Sequence, residues 1–182
     1  MLNNFTKVSS VVFFNTIRAV ILIGDISVGK TSLLQRYQKE DAKPRDLGPT
    51  IGVEFATKEV SVQDGQIVKA QIWDTAGQEK YRAICMAQYR KALGCLLVFD
   101  LTDRATFSNC KYWAESLIDK AQMIMSIKLV GNKLDLVQEN PMLRKVSIQE
   151  AKDLCREYNN MSYVETSAMN AINVKSAFES SI

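Results

Sequence analysis

Gly24-Asp25-Ile26-Ser27-Val28-Gly29-Lys30-Thr31 sets two glycines, a lysine and a hydroxyl at the spacing G-x-x-x-x-G-K-[ST]. That spacing suits a loop wrapped around phosphate: glycines let backbone N–H groups turn inward onto an anion, and Lys30 reaches the β- and γ-phosphates. The Thr31 hydroxyl is then placed to ligate Mg²⁺. Residues 19–23 before the loop read as a buried strand, and residues 31–37 after it read as a helix carrying Leu33, Leu34 and Tyr37. The helix points its positive N-terminal end at the same phosphates. Candidate phosphate contacts therefore run from Gly24 to Ser32. A chance match that binds no nucleotide is the alternative, and the flanking strand and helix weigh against it. The loop does not name the base.

Asn132-Lys133-Leu134-Asp135 follows a second apolar strand, residues 127–131, at the carboxyl edge of a parallel sheet, where α/β proteins bind ligands. Guanine presents its N1–H and 2-amino donors on one edge. A carboxylate such as Asp135 accepts from both, which adenine cannot offer. Asn132 is placed to bond toward N7 and to brace the phosphate loop, with the Lys133 stem along the ring. After the strand at 163–166, the backbone N–H groups of Ser167 and Ala168 are placed to meet O6. Alone, N-K-x-D is an ordinary surface turn; behind a phosphate loop it points to guanine.

The third element is Asp74-Thr75-Ala76-Gly77-Gln78-Glu79, directly after an alternating strand over residues 68–73. Asp74 at a strand end can hold a Mg²⁺ shell through water. Gly77 can bring its N–H against a γ-phosphate, and Gln78 can orient the attacking water, a role known in phosphoryl transfer of this class. A plain flexible loop is the bland alternative.

The elements that must position these groups alternate strand and helix. Continuous apolar strands at 20–23, 95–99 and 128–131 imply a parallel sheet buried on both faces. Residues 53–62 and 67–73 flank Asp64-Gly65, a hairpin signal that makes one edge strand antiparallel. Phe107, Cys110, Ala114, Leu117, Ile118 and Ala121 mark one helical face. Ser147-Ile148-Gln149-Glu150 is a capping box opening a helix that buries Ala151, Leu154, Cys155 and Tyr158.

The 182 residues suit one domain, and 47% hydrophobic with 24% charged residues reads as globular. A net charge of +3 gives no argument for nucleic acid. Cys85, Cys95, Cys110 and Cys155 show no paired or metal-like spacing, so reduced thiols are expected. The chain has 0 histidines, which excludes His-dependent triads and His metal sites. No stretch reaches the ~20 apolar residues of a membrane-spanning helix. Residues 1–17 read as a variable extension and 18–182 as the domain.

Taken together, these motifs resemble a Ras-superfamily small GTPase, specifically a Rab. The Rab-like marks are Ile51-Gly52-Val53-Glu54-Phe55 after Thr50, Trp73 before the D-T-A-G-Q-E run, and Lys80-Tyr81-Arg82 after it. Glu54-Phe55-Ala56-Thr57-Lys58, Lys69-Ala70-Gln71-Ile72-Trp73, Tyr81-Arg82-Ala83-Ile84 and residues 165–178 look most like the Rab-eleven subgroup. The resemblance implies an α/β P-loop small-GTPase fold: a mostly parallel six-stranded sheet with one antiparallel edge strand and helices on both faces. It implies GTP/GDP and Mg²⁺ as ligands, with Thr31, Thr50 and Asp74 at the metal and Lys30, Thr50, Gly77 and Gln78 in hydrolysis. It also implies a switch that controls effector binding in vesicle-mediated transport. Effectors, an exchange factor and a GTPase-activating protein would meet Ile51 to Phe55, Trp73 and the segment from Tyr81 to Tyr89. The chain would be a cytoplasmic monomer without nucleic acid, peripheral on endomembranes if a longer form carries a lipidated tail.

Four departures from the family pattern temper this. Ile26 stands where relatives carry a small or polar residue beside the γ-phosphate, so slow hydrolysis is one expectation and harmless outward packing the other. Asp41-Ala42-Lys43-Pro44-Arg45-Asp46 lacks the aromatic ring that relatives place over the base, which predicts faster GDP release. The third member of the effector-facing aromatic triad falls on Gln88, beside Tyr89. The last helix, begun by Val174, Ala177, Phe178 and Ile182, is truncated: residues 173–182 give only about 15 Å. Neither its missing turns nor a prenylated tail is present, so bare apolar sheet and a weaker fold are expected. Beside the switch stand two alternatives: a GTP-binding scaffold with little hydrolysis, and a degenerate relative that does not fold. An adenine-specific kinase is disfavoured by Asp135.

Overall fold

Strands with apolar residues on both faces need a layer on each side, and strand β1 (Ile17–Ile23) has that pattern. Val20 and Leu22 enter one core, Ile21 and Ile23 the other. In the computed structural model, residues 17–39, 41, 53–61, 67–75, 92–120 and 125–182 are described. Thr50, Ile51, Gly52, Gly77, Gln78, the segment from Tyr81 to Tyr89, residues 42–46 and residues 1–16 of the extension lie outside them; Ile17, expected as the last residue of the extension, instead opens β1.

The other elements are α1 (Lys30–Gln38), β2 (Val53–Ser61), β3 (Ile67–Thr75), β4 (Ala92–Asp100), α2 (Arg104–Ser108) and α3 (Cys110–Lys120). They are followed by β5 (Ser126–Asn132), α4 (Leu134–Glu139), a 3₁₀ turn (Pro141–Leu143), α5 (Ile148–Arg156), β6 (Met161–Glu165) and α6 (Val174–Glu179). The sheet order is β2-β3-β1-β4-β5-β6. Among the described strands only β2 and β3 pair antiparallel, with Phe55 opposite Trp73; the remaining strand pairs are parallel. The expected mostly parallel six-stranded sheet with an antiparallel edge is therefore present. Because β1 lies between β3 and β4, chain order reverses across it. The loop leaving β1 opens at that switch point, where such sheets bind ligands.

Helices cover both faces. α1 and α6 supply Leu33, Leu34, Tyr37, Val174, Ala177 and Phe178 to one core, where Phe178 stacks on Tyr37 at 4.3 Å between ring centroids. α3 and α5 supply Trp113, Leu117, Ala151 and Leu154 to the other, against Leu97, Phe99 and Leu129. Ser147 and Glu150 form the expected capping box: the Glu150 N–H donates to Ser147 Oγ at 3.2 Å, and the Ser147 N–H donates to Glu150 Oε2 at 2.9 Å.

Two expectations are corrected. The helical face drawn through Ile118 runs through Trp113 instead. Cys110, Trp113, Ala114 and Leu117 complete an i, i+3, i+4, i+7 stripe, and Ile118, about 100° further round, is exposed. The short last helix does not leave bare apolar sheet among the described residues. Val60, Val68 and Ala70 are buried, with Ile182 packed against them. No helix among the described residues is long and apolar enough to cross a membrane. Cys95, Cys110 and Cys155 are buried free thiols.

Candidate functional site: a nucleotide pocket at the carboxyl edge of the sheet

Leaving β1, the chain turns at Gly24 with φ +133°, and a Cβ there would sit 2.1 Å from the Val98 carbonyl oxygen. Only glycine adopts that turn so close to a neighbouring strand. Ser27 also takes a left-handed φ of 62°, a conformation that costs a side-chain-bearing residue on the order of 1–3 kcal/mol and concentrates at functional sites. Gly29 closes the loop at φ +95° as the N-cap of α1. Gly29 offers no side-chain cap to that end, and an uncapped helix start is the kind of end that suits an anion.

Lys30 is buried and lies across the loop, donating from Nζ to the carbonyls of Gly24 at 3.0 Å and Asp25 at 2.7 Å. Carbonyls are weak competitors for an ammonium that a phosphate would attract, so the lysine is held in place rather than consumed. Ile26 and Ser27 stand exposed at the loop's tip; Val28 is buried in the core.

Thr31 and Asp74 meet below the loop. The Thr31 hydroxyl donates to Asp74 Oδ2 at 2.5 Å. Asp74 is fully buried at the end of β3, and its Oδ1 has no hydrogen-bond partner among the described residues. Burial pushes its carboxyl up to about 6, against the opposing pull of the Thr31 hydrogen bond and the Lys30 charge. A buried carboxylate with an orphaned oxygen beside a hydroxyl is an all-oxygen donor set. It fits a hard divalent cation such as Mg²⁺.

On the base side, Asn132 ends β5 and is almost wholly enclosed. Its Nδ2 donates to the Val28 carbonyl at 2.9 Å, and its Oδ1 accepts from Thr166 Oγ1 at 3.2 Å and the Ala168 N–H at 3.4 Å. The expected brace on the phosphate loop is thus formed. Lys133 has a left-handed φ of 66° and pairs through Nζ with Asp100 Oδ2 at 2.7 Å. Asp135, in the first turn of α4, accepts from Ser167 Oγ at 2.5 Å. Between them opens a cleft of about 230 Å³, with Gly29, Asn132, Asp135, Leu136, Ala168 and Met169 in its lining. The N–H of Ser167, expected to meet a base oxygen, is instead spent on the Ile172 carbonyl at 3.1 Å. Ser167 contributes its hydroxyl, and the Ala168 N–H is left on a long bond.

Gly24 to Ser32, Asp74, Asn132, Lys133, Asp135, Ser167 and Ala168 thus gather at one edge of the sheet. Thr50, Gly77 and Gln78 lie outside the described residues.

Some supporting residues went unread in the sequence. Arg36, on the buried side of α1, donates to the carbonyls of Ala168 at 2.8 Å and Met169 at 2.6 Å. A basic residue between Leu34 and Tyr37 on an apolar face was the available signal. Arg144 grips Glu165 through two nitrogens at 2.6 and 2.9 Å, just before the Thr166–Ala168 turn. The Asp25 carboxylate accepts from Trp113 Nε1 at 2.8 Å and Asn109 Nδ2 at 2.7 Å. A buried indole needs an acceptor, and that was its signal.

Comparison with known proteins agrees with this geometry. The family model for the Ras family matches residues 19–182. The Ras-related protein RABA1h of Arabidopsis thaliana is 51% identical over 159 residues, covering 87% of this chain and 70% of the relative. The GTP-binding protein ypt3 of Schizosaccharomyces pombe is 48% identical over 87% of this chain and 71% of its own length. For the Ras-related protein rab-11.1 of Caenorhabditis elegans the figures are 49%, 87% and 72%. With nearly the whole domain matched at about half identity, the chain belongs to the Ras family and is a Rab-type small GTPase related to the Rab-eleven branch.

Proposed function

We propose that this chain is a guanine-nucleotide switch that binds and hydrolyses GTP and so times effector binding in vesicle-mediated transport. The observation that carries the reading is the single hydrogen-bonded unit formed by the phosphate loop, Asn132 and the Asp135 cleft. Within it Lys30 and the backbone N–H groups of the loop hold the phosphates, and Asp135 accepts the two donors of guanine. Mg²⁺ would be held by the hydroxyls of Thr31 and Thr50, with Asp74 acting through water. Bound there, it would supply positive charge against the negative charge developing on the transferred phosphoryl oxygens. Gln78 orients water, and the Gly77 N–H meets the γ-phosphate. These residues position and stabilise charge, and little covalent work is left to the protein.

Effectors, an exchange factor and a GTPase-activating protein meet the surface that begins at Phe55 and Trp73. Those two rings lie 4.6 Å apart across the β2–β3 edge, with Phe55 half exposed. Residence in the cytoplasm and peripheral attachment to endomembranes belong to the same proposal. So does GDP release faster than that of relatives, because the segment 41–46 offers no ring to stack on the base.

A second reading is a GTP-binding scaffold that turns over slowly. It is favoured by Ile26, which is 42% exposed at the tip of the phosphate loop beside the left-handed Ser27. Single-turnover GTP hydrolysis with Mg²⁺, on the chain itself and on Ile26→Ser, separates the two. A Ras-type switch without an activating partner turns over on the order of 10⁻⁴ s⁻¹. That rate in both proteins supports the timed switch. Hydrolysis only after the substitution supports the scaffold, and failure to bind GTP refutes both.

A further inference from the structure

A carboxylate in the second position of a phosphate loop is an electrostatic burden, because it sits in the segment that must attract anions. The structure disposes of that burden in a specific way. Both Asp25 oxygens are taken by neutral donors from one turn of chain entering α3: Trp113 Nε1 at 2.8 Å on Oδ1, and Asn109 Nδ2 at 2.7 Å on Oδ2. Asn109 and Trp113 are themselves joined by the bond from the Trp113 N–H to the Asn109 carbonyl at 3.1 Å. Neutral donors satisfy the carboxylate without a competing cation, and hydrogen bonds to an ionised acceptor are the stronger kind.

The anchor is rigid. Trp113 is 6% exposed and belongs to the core with Leu97, Phe99 and Leu117. Meanwhile the Asp25 main-chain carbonyl accepts from Lys30 Nζ at 2.7 Å. One residue therefore fixes the loop at two points, its side chain on α3 and its backbone on the lysine that serves phosphate.

We propose that Asp25, clamped by Asn109 and Trp113, is a positioning residue that locks the phosphate loop and Lys30 in the shape that holds nucleotide. The clamp turns the carboxylate toward α3 and leaves the loop's concave side to N–H groups. It also makes α3 a rigid support whose displacement would loosen the loop. For its ligand the inference rests on the guanine-nucleotide reading above.

The test measures release of a fluorescent GDP analogue in Mg²⁺ from wild type, Asp25→Ala, Trp113→Phe and the exchange Asp25→Asn/Asn109→Asp. In the exchange, the amide at position 25 still accepts from Trp113 and donates to the carboxylate at 109, so both hydrogen bonds survive while the charge leaves the loop. Release is expected to accelerate about ten- to a hundredfold in Asp25→Ala and about three- to tenfold in Trp113→Phe. The exchange is expected within about threefold of wild type. A role confined to general stability would change unfolding without this recovery. Release from Asp25→Ala at the wild-type rate or slower, or from the exchange as fast as from Asp25→Ala, overturns the proposal. Should wild type bind no GDP analogue, the nucleotide reading fails by itself, and the Trp113 indole N–H resonance then decides the clamp. A shift of that resonance in Asp25→Ala upholds the clamp, and an unmoved resonance overturns it.

Discussion

Asn132 Nδ2 donates to the Val28 carbonyl at 2.9 Å across 104 residues of sequence, so the end of β5 and the glycine-rich loop after β1 are one hydrogen-bonded unit. The same side chain accepts from Thr166 and Ala168. Asn132→Ala removes the brace and leaves buried groups unpaired, at about 1–3 kcal/mol for each one stranded. We expect a lower urea midpoint and GDP release at least tenfold faster. A variant that releases GDP at the wild-type rate would show that the brace has no bearing on the pocket.

Asp135 faces the cleft with one oxygen held by Ser167 Oγ at 2.5 Å. If the carboxylate accepts the 2-amino donor of guanine, it discriminates against hypoxanthine, which lacks that amino group. Competition between GDP and IDP should favour GDP about tenfold or more in wild type, in line with the net worth of a hydrogen bond to a charged group. In Asp135→Ala the preference should fall to near parity. Undiminished preference for GDP in that variant would take the base-reading role away from Asp135.

The two loop glycines are not equivalent. A Cβ at Gly24 meets backbone, the Val98 carbonyl oxygen at 2.1 Å, whereas one at Gly29 meets the end of a side chain, Asn132 Nδ2 at 2.4 Å. A strand carbonyl has nowhere to go, and an amide can rotate at the expense of its bond to Val28. Gly24→Ala should therefore destabilise the fold by more than about 3 kcal/mol, combining left-handed strain with overpacking. Gly29→Ala should cost less stability and show its damage in nucleotide affinity. Thermal unfolding without nucleotide, set beside GDP binding, distinguishes them; equal losses in both assays would contradict the contrast.

Much of this was legible because it is local. The G-x-x-x-x-G-K-T spacing fixes a turn and a helix start, the two-face apolar strands fix parallel pairing, and Ser147 with Glu150 fixes a cap three residues wide. What escaped depends on tertiary approach. Asp25 finds Asn109 and Trp113 more than eighty positions away, and Arg36 finds its carbonyls 132 and 133 positions away. No periodicity encodes such pairs. Ile118 lies at i+4 from Ala114, so helical phase admits it to the apolar face; only packing shows that the buried stripe is centred on Cys110, Trp113, Ala114 and Leu117 and leaves Ile118 at its exposed margin. Ser167 was assigned its N–H because a strand end suggests free donors; the turn back to Ile172 consumes that donor.

Glu165 links the last parallel strand to the base-side turn, and its charge should make stability depend on pH in the acid range. Burial alone would raise its carboxyl, but the hydrogen bonds from Arg144 and Tyr163 outweigh that and hold it below the ordinary glutamate value. A carboxyl depressed in the folded state stabilises above its unfolded value, near about 4.3, and that contribution fades as pH falls through the folded value. Solvent reaches both partners, whose side chains are 26% and 14% exposed, so the pair is worth about 1 kcal/mol rather than the full buried figure. Glu165→Gln should therefore be less stable than wild type by about that amount at neutral pH. The two proteins should converge only at a pH below the depressed folded value of Glu165, where its carboxyl is itself protonated. Urea unfolding at stepped pH reads this directly: a gap that stays constant into acid would assign the loss to packing against Tyr163, not to the charge gripped by Arg144.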